Sequence, residues 1–161
     1  MGKVLSDDAE VLGHCCWQTS ALESFEDCSV LCCRLNTECF AGMPGTDVFG
    51  LFNQLVTIFS DLAIHHGCEL VDFGVGFVYA VCGHSEDIQQ HAVSIVRLAL
   101  AMLNAARVSA HGVELCFGLH TGRAYAGLLG KRWSSYKFFG DAMDVARGLV
   151  LKQAPMNIRV S

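Results

Sequence analysis

Cysteines, histidines and a few isolated carboxylates are the side chains of this sequence that could do chemistry. His14, Cys15 and Cys16, followed by Cys28, Cys32, Cys33 and Cys39, are the donor types of a zinc site. Structural zinc sites usually draw cysteines from paired C-x-x-C knuckles, and this spacing has none. Cys32 and Cys33 are neighbours in the apolar run Ser29 to Leu35, and adjacent side chains on a strand face opposite ways. The strand cysteines are therefore expected to pack as small buried hydrophobes. Cys15 and Cys16 are expected to be exposed and oxidisable. Glu38, Asp72 and Asp144 are oxygen donors that could improvise a site for a hard cation. Their simpler role is to face solvent. His65-His66 suits a helix end, where an imidazolium complements the dipole.

The elements that position these residues follow from composition and period. The chain has 161 residues, 52% hydrophobic and 17% charged, which fits one folded domain with a large core and excludes disorder. A formal charge of −5 argues against non-specific nucleic-acid binding, and no transmembrane segment or signal peptide is expected. Nine cysteines without a secretory signal point to a reducing, intracellular, cytoplasmic setting. Gly2 with Ser6 fits the short myristoylation pattern, but one acyl chain with only Lys3 nearby would anchor weakly.

Residues 1–27 read as a leader, with one short helix around Trp17 to Phe25, and 28–161 as the domain. Ser29 to Leu35 reads as a buried central strand and Ala41 to Gly45 as a loop. A helix capped by Thr46 or Asp47 should bury Val48, Leu51, Phe52, Leu55, Phe59 and Leu62, and stop at Gly67. Phe49, at helical spacing with Phe52 and Phe59, is expected in core or interface. Leu70 to Phe73 and Phe77 to Val81 read as a hairpin over Gly74-Val75-Gly76. Ser85 to Arg107 reads as a second helix, with Val93, Val96, Leu100 and Leu103 as its buried stripe. Val113 to Leu119 and Arg123 to Leu129 are expected as two strands around a Gly118–Gly122 turn. A polar bend, a helix Asp141 to Leu151 and a strand from Ile158 follow. The order predicts an α+β domain of ferredoxin-like βαββαβ type, an antiparallel-rich sheet with helices packed on it.

Residues 114–148, ELCFGLHTGRAYAGLLGKRWSSYKFFGDAMDVARG, carry the most specific pattern. Gly118-Leu119-His120-Thr121-Gly122, Ala126-Gly127 and the Phe139-Gly140-Asp141 helix opening resemble the class III nucleotide cyclase catalytic domain. That family has G-I-H-T-G, A-G-x-x-G and a W-G-x-x-V-N-x-A-S-R helix. The resemblance runs from Ser29 to Ser161 and implies a cyclase-like fold. Family members continue further, through a segment bearing a phosphate-contacting Lys, so a fragment or shortened module is expected.

The resemblance also implies two Mg²⁺ ions held by strand-end carboxylates. Here those positions fall on Arg34, within Val30 to Thr37, and on Val75, within Val71 to Ala80. The purine-contacting positions fall on Val71 and Lys137. The Asn and Arg that handle ribose and phosphate fall on Asp144 and Gly148. Arg147 sits one place early, about 100° around the helix, and is not expected to substitute. Arg34 is expected to project into the metal pocket and pair with Asp72 or Asp144.

Because family sites form between two domains with complementary halves, this chain lacks both halves with any partner. The resemblance thus implies a catalytically inactive module with no metal and no cofactor, acting in dimerisation, scaffolding or regulation. A homodimer or heteromer is expected, with Val75, Phe77, Tyr79, Phe138 and Phe139 near its interface. Two alternatives stay open: a divergent active cyclase with displaced metal ligands, and a thiol redox or metal-responsive module.

Overall fold

The computed structural model describes residues 22–74, 76–84, 90–109, 113–130, 135–151 and 158–160. Gly2, His14, Cys15, Cys16 and Val75 lie outside the described residues, as does the expected start of the second helix. The elements are β1 (Glu23–Leu35), a 3-10 turn (Thr37–Phe40), α1 (Gly45–His65), β2 (Glu69–Gly74), β3 (Phe77–Cys82), α2 (His91–Ser109), β4 (Leu115–Leu129), β5 (Ser135–Phe139), α3 (Asp141–Leu151) and β6 (Ile158–Val160). The β1-α1-β2-β3-α2-β4 order is the expected βαββαβ unit. Its sheet runs β2-β3-β1-β4-β5, with β6 added parallel to β4.

Strand β1 is central because both its faces are apolar. Leu31, Cys33 and Leu35 share one core with Leu55 and Phe59 of α1 and Leu98 and Met102 of α2. Cys28, Val30 and Cys32 alternate to the opposite face and pack with Ala142, Ala146 and Val150 of α3. The expected burial of the strand cysteines holds at both Cys32 and Cys33. The strand starts at Glu23, so the expected short helix does not extend over residues 23–25.

Four local expectations are corrected. Strand β4 is one continuous run of 15 residues, not two strands around a turn. Its glycines serve close approach instead. A Cβ on Gly118 would run into the Ala146 carbonyl, with Val150 and Leu149 of α3 at 2.9 and 3.0 Å. Residues 135–139, expected as a polar bend, form β5 on the edge of β4. In α2 the buried residues include Ile95, Leu98, Ala99, Met102 and Ala106; of the expected stripe Leu103 is buried and Val96 half-buried, while Val93 and Leu100 are exposed. The helix is apolar almost all round, so its sequence leaves the stripe's phase open. Finally, α1 begins behind Pro44, whose carbonyl accepts from the Asp47 and Val48 amides, so Thr46 and Asp47 are inside the helix.

Of the expected buried face of α1, Leu55 and Phe59 are buried while Val48, Leu51, Phe52 and Leu62 are half-buried, and Gly67 (φ 68°) ends the helix in the left-handed region as expected. Phe49, however, is exposed. Gly45–His65 and His91–Val108 are long and apolar enough, by length and composition alone, to cross a membrane. Both helices lay residues on the sheet core instead.

Candidate functional site: a cleft where cations replace carboxylates

The β2–β3 hairpin and α3 converge on one open cleft. Asp72, Phe73, Gly74, Phe77, Tyr79 and Arg147 line it, around a volume of about 200 Å³. Arg34 stands on the same sheet face as Cys32, in register with Phe77 on β3 and Cys116 on β4. Its Nη2 lies 3.6 Å from Cys116 Sγ.

Asp72 is engaged from the other edge of the sheet. Lys137 Nζ donates to Asp72 Oδ1 at 2.8 Å. This contact joins β2 to β5, the two ends of the strand order, so the sheet curls until its edges meet. Of the carboxylates expected near Arg34, Asp72 is bonded to Lys137, and Asp144 is exposed in the first turn of α3, where a carboxylate complements the helix dipole. Both charged groups of the bridge are partly solvated, so it contributes on the order of 0–1 kcal/mol. Replacing Lys137 with Met should shift a urea midpoint only within that range. A larger loss would mean the bridge is a structural latch.

Arg147 does reach the cleft. Its guanidinium sits 5.5 Å from the Phe77 ring centroid, a cation–π contact. Next to it, Gly148 faces open space, since a Cβ there would meet nothing within 4 Å. Val71 is half-buried against the α3-side core. On the cleft wall Cys32 and Tyr79 share a hydrogen bond; burial first, then Cys32, pushes the Tyr79 phenol upward, and burial pushes the Cys32 thiol up to about 11. Neither titrates near neutral pH.

Two magnesium ions do not fit these residues. Mg²⁺ needs oxygen donors in octahedral array. The position that the family resemblance gives the first ligand is an arginine, and the carboxylate on the cleft wall is bonded to a lysine. Among the described residues no three His, Cys, Asp or Glu gather closely enough to hold a metal ion.

The expected interface residues separate. Phe138 is 8% exposed and fills a cluster with Phe25 (stacked, 6.0 Å), His84 and Tyr136, so it is core. Phe77 and Tyr79 are half-buried and pack on the α3-side core. Phe139 is 41% exposed and stacks on Tyr125. Phe73, which the sequence reading did not single out, is 57% exposed on the cleft wall.

Sequence reasoning also missed a buried polar relay. Ser29, fully buried, meets His91 Nδ1 at 2.8 Å and Thr121 Oγ1 at 2.6 Å, while His91 Nε2 lies 3.7 Å from Asp27. The residue types are those of a hydrolase triad, but a fully buried hydroxyl meets no substrate. The relay ties the start of α2 to β1 and β4. Gly83 (φ 92°) makes room for it, since a Cβ there would sit 2.8 Å from the His91 ring.

The fold and cleft define a nucleotide cyclase-like domain. The guanylate cyclase domain of RhGC from Catenaria anguillulae, solved with GTP, superposes with a TM-score of 0.80 at 20% identity over 86% of this chain and 80% of that one. A dimeric guanylyl cyclase domain of the RhoGC fusion protein from Blastocladiella emersonii gives 0.77 at 16% identity, over 86% of this chain and 81% of that one. In sequence the chain is 28% identical to a membrane guanylyl cyclase of Dictyostelium discoideum over 143 residues, covering 87% of this chain and 10% of that protein. It is 34% identical to the bovine soluble guanylate cyclase subunit alpha-1 over 93 residues, 54% of this chain and 13% of that subunit. It therefore spans only a small part of these relatives. The sequence model of the adenylate and guanylate cyclase catalytic domain matches residues 22–161. The chain belongs to that family.

Proposed function

We propose that this domain is a catalytically inactive cyclase-homology module that acts by associating with another protein chain inside an intracellular signalling assembly. One observation carries the reading: Asp72, the carboxylate that lines the cleft, is bonded to Lys137, Arg147 lies on the cleft wall, and Arg34 stands opposite the lining residue Phe77, at the position the family resemblance gives a metal ligand. A cation at a ligand position repels a divalent ion, and Asp72, the carboxylate lining the cleft among the described residues, already faces a lysine. Cyclic nucleotide formation from ATP or GTP tests the loss of chemistry directly, and turnover by the purified domain would overturn it.

Association is supported by the surface left behind. Phe73 on the cleft wall and Phe139 beside α3 are large, apolar and exposed, and exposed apolar patches mark interaction sites. A second copy is the simplest partner. The expected result is a concentration-dependent dimer in sedimentation at micromolar protein, weakened by Phe73→Ser and Phe139→Ser without loss of the folded circular dichroism signal. A clean monomer that also fails to pair with a co-expressed cyclase domain would defeat this part of the reading.

A further inference from the structure

Strands β2 and β3 pair with Glu69 opposite Val81. One step outward in the same register stand Cys68 and Cys82. Both point to the α1 side of the sheet and belong to the same buried core. Their thiols lie at the same end of α1, Cys68 Sγ 3.7 Å from the His66 carbonyl and Cys82 Sγ 3.2 Å from the Gly67 carbonyl, and both are free. Directly opposed residues of an antiparallel pair have Cα atoms roughly 4.5–5.5 Å apart, inside the span a disulfide bridges. The other cysteines of the sheet lack this arrangement. Cys32 and Cys33 face opposite cores, and the Cys28 thiol points at the Cys82 backbone carbonyl (3.5 Å).

We propose that Cys68 and Cys82 are a redox modification site that closes a reversible cross-strand disulfide when the protein meets a small peroxide. The thiolate of one cysteine attacks the peroxide O–O bond, forming a sulfenic acid and releasing one water. The other thiol then attacks that sulfur, forming the S–S bond and releasing the second water. The two thiols supply the two electrons that reduce the peroxide, and a dithiol reductant returns them.

The surroundings assign the roles. The Cys82 thiol lies 3.2 Å from the Gly67 carbonyl; the neighbouring Cys68 thiol, ahead of the Gly83 amide and Ser94, holds it below its ordinary range against burial. The same neighbour, with burial, pushes Cys68 upward. Cys82 is therefore the attacking thiolate and Cys68 the resolving thiol. Cys68 is 6% exposed and Cys82 fully buried. A bulky disulfide such as oxidised glutathione is excluded, whereas peroxide needs only a brief opening beside the α1 terminus at Gly67. The product would lock the whole β2–β3 hairpin, whose Asp72, Phe73, Phe77 and Tyr79 wall the cleft. The site is independent of whether that cleft is active.

The test uses the whole chain, treated with hydrogen peroxide, blocked with N-ethylmaleimide and mapped by mass spectrometry. No Lys or Arg lies between residues 68 and 82, so chymotryptic cleavage between Phe73 and Tyr79 must separate the two cysteines. Expected are a Cys68–Cys82 linked peptide, loss of two titratable thiols per chain, a higher thermal midpoint, and reversal of all three by dithiothreitol. Oxidised glutathione should leave both thiols intact. Cys68→Ser and Cys82→Ser should each abolish the link and the midpoint shift, and the wild-type peptide map stands alone if either variant folds poorly. Both thiols surviving peroxide, a link through Cys28 or between chains, or oxidation to sulfinic acid without a bridge would each overturn the proposal.

Discussion

Incubated with ATP or GTP and either Mg²⁺ or Mn²⁺, the domain will release no cyclic nucleotide above a blank without protein. The double change Arg34→Asp and Val75→Asp will not create activity either. Two metal ions supply several kcal/mol of charge stabilisation in such a displacement, and Arg34 puts a fixed positive charge where the first ligand would stand. Restoring both carboxylates repairs only the metal half. Asp144, exposed in the first turn of α3, adds negative charge where the family uses an amide. Gly148 offers no side chain, although the open space around it would accept one. Activity is expected, if anywhere, only when Asp144→Asn and Gly148→Arg are added. Turnover by the unchanged domain, abolished by Asp72→Asn, would show that displaced ligands do the work and would end the inactive reading.

Gly118→Val should cost roughly 3 kcal/mol or more in urea unfolding, the upper range for overpacking a core. The residue sits mid-strand where α3 crosses β4, and any Cβ there meets the Ala146 carbonyl before it meets a flexible side chain. Backbone cannot yield as a rotamer can, so the helix must lift off the sheet and open the core of Ala142, Ala146 and Val150. Gly148→Ala is the matched control. It faces open space in α3, and should gain up to about 1 kcal/mol from helix propensity. Equal midpoints for the two variants would refute the close crossing.

The βαββαβ order was legible because α1 and the β2–β3 hairpin announce themselves locally, through one apolar helix face and a tight glycine turn. The Gly118–Gly122 segment misled for a physical reason. Glycine is needed both for positive φ and for close approach, and sequence alone does not say which; here a crossing helix is the cause. The α2 stripe could not be phased, since apolar residues occupy 13 of the 19 positions of His91–Ser109 and spread beyond one face. In the cleft, the expectation of lost metal ligands came from residue types and the family resemblance alone, whereas the side-chain partners did not follow from types at all. The Lys137–Asp72 bridge joins opposite sheet edges, and only the curl of the whole sheet brings them within 2.8 Å. Cys68 and Cys82 escaped notice because register, not spacing, opposes them.

Synthesis of the chain from its N-terminus gives the central strand an awkward timetable. β1 leaves the ribosome first, yet one whole edge of it waits for β4, with Leu31 opposite Leu119 and Cys33 opposite Phe117. Until that partner is made, β1 can pair only with β3, and its unclaimed edge carries the apolar run Val30 to Leu35. Pairings this distant in sequence are slow to form and expose aggregation-prone edges meanwhile. The nascent chain is thus most dependent on holdase chaperones after β3 has emerged and before β4 has.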